Sequence, residues 1–155
     1  MLKYAGTDIV FQEFPDEVTL AINLTRCPNN CPGCHSAYLK EDAGPELDDV
    51  ALLSLINDYR GEITCVGLMG GDGDPQAVMH LMDTVRLTYG STLRTGWYSG
   101  REELPKDFRP ELFDYVKLGP WIEALGPLSS PTTNQRMYRI ADGHFHDITH
   151  RFRKS

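Results

Sequence analysis

The chain has 155 residues, 41% of them hydrophobic, with a formal charge of -7 and a pI of about 5.1. That length and composition suit one folded domain over 1–155 and argue against disorder. The acidic balance argues against a nucleic-acid partner, which calls for a basic field. No stretch reaches the roughly 18 apolar residues of a membrane span. The opening MLKYAGTDIVFQEF has no apolar run followed by a cleavage site. The expected compartment is therefore cytoplasmic, with neither nucleic acid nor membrane as partner.

In chain order, Glu17 to Leu24 (EVTLAINL) reads as a strand, because Val18, Leu20, Ile22 and Leu24 alternate. A loop rich in Pro, Asn, Gly and Cys follows. Leu47 to Tyr59 reads as a helix: Leu52, Leu55, Ile56 and Tyr59 keep helical spacing, Asp48 suits the N-cap, and Leu47 and Leu52 suit a hydrophobic staple. Gly61 breaks it. Ile63 to Met69 has the mostly apolar run of a buried parallel strand. In the turn Gly70 to Pro75, Asp74 suits a helix cap and Pro75 the first helical position. Val78, Leu81, Met82, Val85 and Tyr89 mark one face of the next helix, which Gly90 ends.

Leu93 to Thr95 reads as a short strand ending at Gly96. A weak helix is expected at Pro110 to Phe113 and a strand at Tyr115 to Leu118, closed by Gly119 and Pro120. Met137 to Ile140 and Phe145 to Ile148 suit a hairpin around Asp142 and Gly143. Alternating strands and helices imply a mainly parallel sheet. The chain is too short for a closed eight-fold barrel of roughly 250 residues. The expected fold class is α/β, a single-domain partial (open) β/α barrel. The polar and glycine motifs follow strands, where parallel α/β folds gather their ligand sites.

Three of the four cysteines, Cys27, Cys31 and Cys34, fall within eight positions with the spacing C-x3-C-x2-C. In a reducing compartment cysteines more often serve metals or catalysis than disulfides. Thiolates are soft ligands that suit iron–sulfur clusters or zinc. Three thiolates on a [4Fe–4S] cluster leave one iron with an open position, as catalytic metal sites require. Structural zinc, with His35 or Cys65 as the fourth ligand, is the plainer alternative. It is disfavoured because only one x2 pair is present and His35 adjoins Cys34. Cys65 lies within a buried strand and reads as a small hydrophobe.

The C-x3-C-x2-C segment directly after the first strand resembles the radical S-adenosylmethionine (SAM) superfamily. Cys31-Pro32-Gly33-Cys34, Asp8-Ile9-Val10, Gly70-Gly71-Asp72, Thr95-Gly96, Gly119-Pro120 and Thr133-Asn134-Gln135 fall in the order seen in its glycyl-radical-enzyme activases. Among these activases, Cys31-Pro32-Gly33-Cys34 resembles the activating proteins of anaerobic ribonucleoside-triphosphate reductases. Departures are Gly33 and His35 beside Cys34, where an aromatic residue is usual, the shorter carboxylate of Asp72, and Lys117 where an acidic residue is common.

The resemblance implies a radical SAM fold, with Cys27, Cys31 and Cys34 holding a [4Fe–4S] cluster whose open iron chelates SAM. Gly70, Gly71 and Asp72 would hold the SAM amino group, and Thr95 and Gly96 would line the SAM or substrate pocket. The residues alone leave an ordinary turn open for the first group and a turn with core aromatics for the second. Electron transfer from an external donor such as a flavodoxin would cleave SAM to methionine and a 5′-deoxyadenosyl radical. That radical would take a hydrogen atom from a glycine of the reductase, the protein substrate. Alternatives are activation of another glycyl-radical enzyme, a small-molecule radical SAM enzyme, or a non-catalytic zinc-binding interaction module. His144, His146 and His150 read as surface or partner-facing residues.

Overall fold

Alternation of apolar and polar residues gives way to buried apolar runs along this chain, and its strands respond by gathering into one sheet. The structure is a computed structural model that describes residues 2–25 and 44–152. Seven strands, β1 (Tyr4–Val10), β2 (Thr19–Leu24), β3 (Cys65–Met69), β4 (Arg94–Tyr98), β5 (Tyr115–Leu118), β6 (Arg136–Ala141) and β7 (His144–Asp147), stand side by side in chain order. Two α-helices, α1 (Asp49–Tyr59) and α2 (Pro75–Tyr89), lie in the connections from β2 to β3 and from β3 to β4. Among the described residues no helix is long and apolar enough to cross a membrane.

Local chemistry sets the helix ends. The Asp48 carboxylate accepts from Ala51 N at 2.8 Å, and Leu47 and Leu52 are both buried in the same core, as a staple requires. Asp74 accepts from Ala77 N at 3.2 Å, and Pro75 fills the first turn. Gly90, with φ 59°, closes α2. Asp142 and Gly143, both at positive φ, turn β6 into β7.

The mainly parallel partial β/α barrel expected from the sequence is not what forms. The sheet is mixed. Strands β2 to β5 pair in parallel, but β1 is antiparallel to β2, and β6 and β7 are antiparallel additions beyond β5. Among the described residues there are only two α-helices. The β4–β5 connection carries just a 3-10 turn at Pro110–Leu112 where a parallel barrel would place a helix. The physical reason lies at the two ends of the chain. The half-exposed residues of β1 pair as an edge strand, and the Asp142-Gly143 turn reverses the chain after β6.

The two sheet faces are packed differently. Leu20, Ile22 and Leu24 of β2, Val66 and Leu68 of β3, Trp97 of β4 and Val116 of β5 pack with Leu52 and Ile56 of α1 and with Val78, Leu81, Met82 and Val85 of α2. Each fully buried apolar side chain contributes about 1.5–3 kcal/mol, so this face carries most of the hydrophobic stabilisation. On the other face Ala21, Gly67 and Gly96 are register partners across three strands. This row of small residues makes room for the Phe14 ring, which is completely buried. Phe14 meets Tyr98 edge-on at 5.2 Å and Tyr115 at 5.3 Å between ring centroids. Cys65, Leu128 and Met137 complete this smaller core.

At the amino end of the parallel strands, buried Glu17 accepts from Thr64 Oγ1 at 2.8 Å and from the Tyr115 hydroxyl at 3.0 Å, with Arg94 Nε at 3.2 Å. Burial, and then the Glu17 carboxylate, push the Tyr115 phenol up from its usual 10.0 to about 12. Over that window the unfolded chain releases this proton while the folded one keeps it. Stability contributed by the neutral phenol is therefore complete below pH 10 and lost as the pH rises toward 12. Urea unfolding at pH 9 and pH 11.5 is expected to show a larger alkaline loss for the native sequence than for Tyr115→Phe. An equal loss would contradict this assignment.

Candidate functional site

The parallel strands β2 to β5 all deliver their carboxyl ends to one edge of the sheet. The chain enters the cysteine segment there, just after Thr25, whose backbone N–H donates to Lys3 O at 2.9 Å. Cys27, Cys31 and Cys34 lie outside the described residues. Thr25 is buried, and its hydroxyl has no hydrogen-bond partner among the described residues.

Next along the edge come Gly70 and Gly71, with φ 107° and 89°, where L side chains are strained. A Cβ on Gly71 would sit 2.6 Å from Val78 Cγ2 and 2.9 Å from Leu24 Cδ1, so the turn is pressed onto α2 and β2. The Gly70 carbonyl accepts from Trp97 Nε1 at 2.6 Å, and the Gly71 carbonyl accepts from Asp74 N at 3.0 Å. Each of these two carbonyls therefore already holds one internal partner among the described residues.

Asp72 is buried and aimed at the exit of β4. Its carboxylate accepts from Ser99 Oγ at 2.6 Å and from Gly100 N at 2.9 Å. Charge-assisted bonds of this kind are short and strong, so Asp72 ties the turn after β3 to the loop after β4. On the far side of Ser99, buried Lys117 donates from Nζ to the carbonyls of Gly119 at 2.9 Å and Ser99 at 3.4 Å. The same ammonium lies 5.6 Å from the centre of the Tyr98 ring. Gly119, at φ 116°, is crossed closely by Gln135, whose Cα would lie 3.0 Å from an added Cβ. Within the Thr133–Gln135 run, Thr133 Oγ1 accepts from Gln135 N at 3.0 Å and Asn134 Nδ2 donates to Pro120 O at 3.0 Å.

A cavity of about 730 Å³ opens on the Phe14 face, lined by Glu13, Tyr98, Leu128, Gln135 and Phe152 among others. That size lies within the roughly 300–1,000 Å³ of small-ligand pockets. The Tyr98 hydroxyl is buried, donates to Glu13 O at 2.5 Å, and has its pKa raised by that burial. An Arg151–Asp16 ion pair at 2.7 Å stands among the residues around the cavity.

Of the other residues singled out in the sequence, Thr95 and Gly96 sit inside β4, away from the edge. The buried Thr95 hydroxyl donates to Leu112 O at 2.6 Å, and the Thr95 N–H donates to Asp114 at 2.9 Å. A Cβ on Gly96 would lie 2.3 Å from Phe14 Cζ. Both residues thus make packing and hydrogen-bonding contacts with protein, and Tyr98 and Ser99 take the edge position. The sequence signal for Ser99 is the Ser99-Gly100 pair directly after an apolar strand, which parallels Gly70-Gly71-Asp72 after β3.

Cys65 is the register partner of Thr19, at the opposite end of the strands from Thr25. Six residues of strand, roughly 20 Å, separate those ends. Burial raises its thiol pKa well above the usual range, which keeps it protonated and unsuited to metal. His144 and His146 are exposed on β7, and His150 is exposed in the final 3-10 turn. Among the described residues no group of three or more His, Cys, Asp or Glu is placed to hold a metal ion. Compared with protein-family models, curated proteins and solved structures, the chain finds no match.

Proposed function

We propose that the chain is a radical SAM iron–sulfur enzyme in which Cys27, Cys31 and Cys34 hold a [4Fe–4S] cluster and which generates a glycyl radical on an anaerobic ribonucleoside-triphosphate reductase. The observation that carries this reading is positional. The C-x3-C-x2-C segment starts just past Thr25, at the edge where Gly70–Asp72, Ser99 and Lys117 also gather. The donor set fits the cluster chemically: three soft thiolates suit a cubane with one open iron, and the fourth cysteine is a buried, protonated thiol at the other end of the sheet.

When bound, the reduced cluster supplies one electron to the SAM sulfonium, taken in turn from an external donor such as a flavodoxin. The described residues do the rest of the work. Asp72 fixes the β4 exit through Ser99 and Gly100, the glycine turn brings backbone to the edge, and the walls of Tyr98, Leu128 and Phe152 exclude water from one side.

Anaerobic reconstitution with iron and sulfide is expected to give absorption near about 400 nm, which zinc cannot produce. Reduction in the presence of SAM should then release 5′-deoxyadenosine and methionine. Adding the reductase should yield a glycyl-radical signal in electron paramagnetic resonance. A colourless protein that retains zinc would overturn the reading. Cleavage of SAM without a radical on the reductase would overturn only the choice of partner.

A further inference from the structure

We infer that the Thr25 hydroxyl donates a hydrogen bond to a sulfur of the cluster and so raises its reduction potential, a role that rests on the function proposed above. Thr25 is 3% exposed, and its Oγ1 is enclosed without a hydrogen-bond partner among the described residues. The large majority of buried polar side-chain atoms are paired, because an enclosed O–H that loses water and gains no partner is costly. The backbone at this position is already tied down, with Thr25 N donating to Lys3 O at 2.9 Å. The residue is thus held in place with its side-chain donor left over.

Position selects the acceptor. Only Arg26 stands between Thr25 and Cys27 in the sequence, and two residues of chain span at most about 7 Å. A sulfur bound at Cys27 is therefore tethered close to the Thr25 side chain. The residue before Thr25 lies against the glycine turn: a Cβ on Gly71 would come 2.9 Å from Leu24 Cδ1. Thr25 accordingly shares the sheet edge with Gly70 and Gly71. Cluster sulfurs carry negative charge, and hydrogen bonds to them are one of the levers that set cluster potentials. Reduction adds an electron, so a donor stabilises the reduced state more than the oxidised one. Thr19, at the opposite end of β2, is also a buried threonine, and its side chain stands beside the Cys65 thiol. The strand puts it roughly 20 Å away, which makes it a control for the same chemical change.

The test is a potentiometric titration of the anaerobically reconstituted protein without SAM, followed by electron paramagnetic resonance of the reduced cluster. Thr25→Val keeps the branched shape and removes the hydroxyl. At a fixed potential it is expected to lower the ratio of reduced to oxidised cluster by about tenfold, the scale of one hydrogen bond to a charged acceptor. That ratio equals about 59 mV for a one-electron couple. Thr25→Ser keeps a donor and should stay close to the native potential, and Thr19→Val should match it. A native potential in Thr25→Val would overturn the assignment, as would an equal shift in Thr19→Val. A purely structural hydroxyl would instead lower the stability of the apoprotein in urea and leave the potential unmoved, which would also overturn it. Should Thr25→Val fail to fold, Thr25→Ala is titrated in the same way. A native protein that forms no cluster would overturn the proposed function itself.

Discussion

Alanine at Cys27, Cys31 or Cys34 is expected to abolish the absorption near about 400 nm and all SAM cleavage, whereas Cys65→Ala keeps both. Each of the three thiolates would hold a separate iron corner, so losing one exposes a second iron and the cluster does not survive oxygen or chelators. The loss should exceed the roughly 10–100-fold that outer-shell changes cause at metal sites. Cys65 is different in kind. It is wholly buried in the Phe14 core, and its removal costs packing alone. Iron and sulfide content per chain, with 5′-deoxyadenosine release, measures both effects. Cluster loss in Cys65→Ala with retention in Cys34→Ala would show that the ligand set is wrong.

Gly96→Ala is the second substitution with a large expected effect. The new methyl carbon would lie 2.3, 2.5 and 2.8 Å from three atoms of the Phe14 ring. Phe14 is fully buried between Tyr98 and Tyr115, so the ring has little room to yield. Overpacking usually costs 1–3 kcal/mol, and about 3 kcal/mol is expected here. That is a large part of the roughly 5–15 kcal/mol that holds a domain folded. Phe14→Leu alone should cost about 1.5 kcal/mol. Combined with Gly96→Ala, it should recover about 1 kcal/mol or more relative to the sum, because the two residues share one contact. Urea unfolding followed by fluorescence of the buried Trp97 reads all three variants. Strictly additive costs would show that the ring moves aside freely.

These two predictions mark what was legible in the sequence. The helices announced themselves through capping: Asp48 with its staple, and Asp74 with Pro75, act within a few residues of where they stand. The turn at Asp142 and Gly143 is equally local. Strand β1 escaped because its half-exposed residues show no alternation, and with it went the antiparallel character of that edge. Strand β4 was read as ending at Gly96, since glycine weakens strands. Here the glycine is demanded by Phe14, a residue far away in the chain, and the strand runs on to Tyr98.

At the site the same division holds. The cysteine spacing is a local signal and can be read directly. The grouping of Asp72, Ser99 and Lys117 is set by which strands become neighbours, so it emerges only once β3, β4 and β5 pair. The resemblance implies that Thr95 lines the SAM or substrate pocket. Its hydroxyl is consumed by Leu112, a partner no local pattern reveals.

Because spatial order follows chain order across all seven strands, no strand must be threaded between two already joined. A chain emerging from the ribosome can add each new strand to an open margin and never reopen a finished ladder. The widest interval between paired strands runs from Leu24 to Cys65, and closure entropy grows only with the logarithm of such an interval, about 0.6 kcal/mol per doubling. Cys27, Cys31 and Cys34 lie in sequence inside that interval, whose two ends meet when β3 docks onto β2, before β4 and everything after it has arrived.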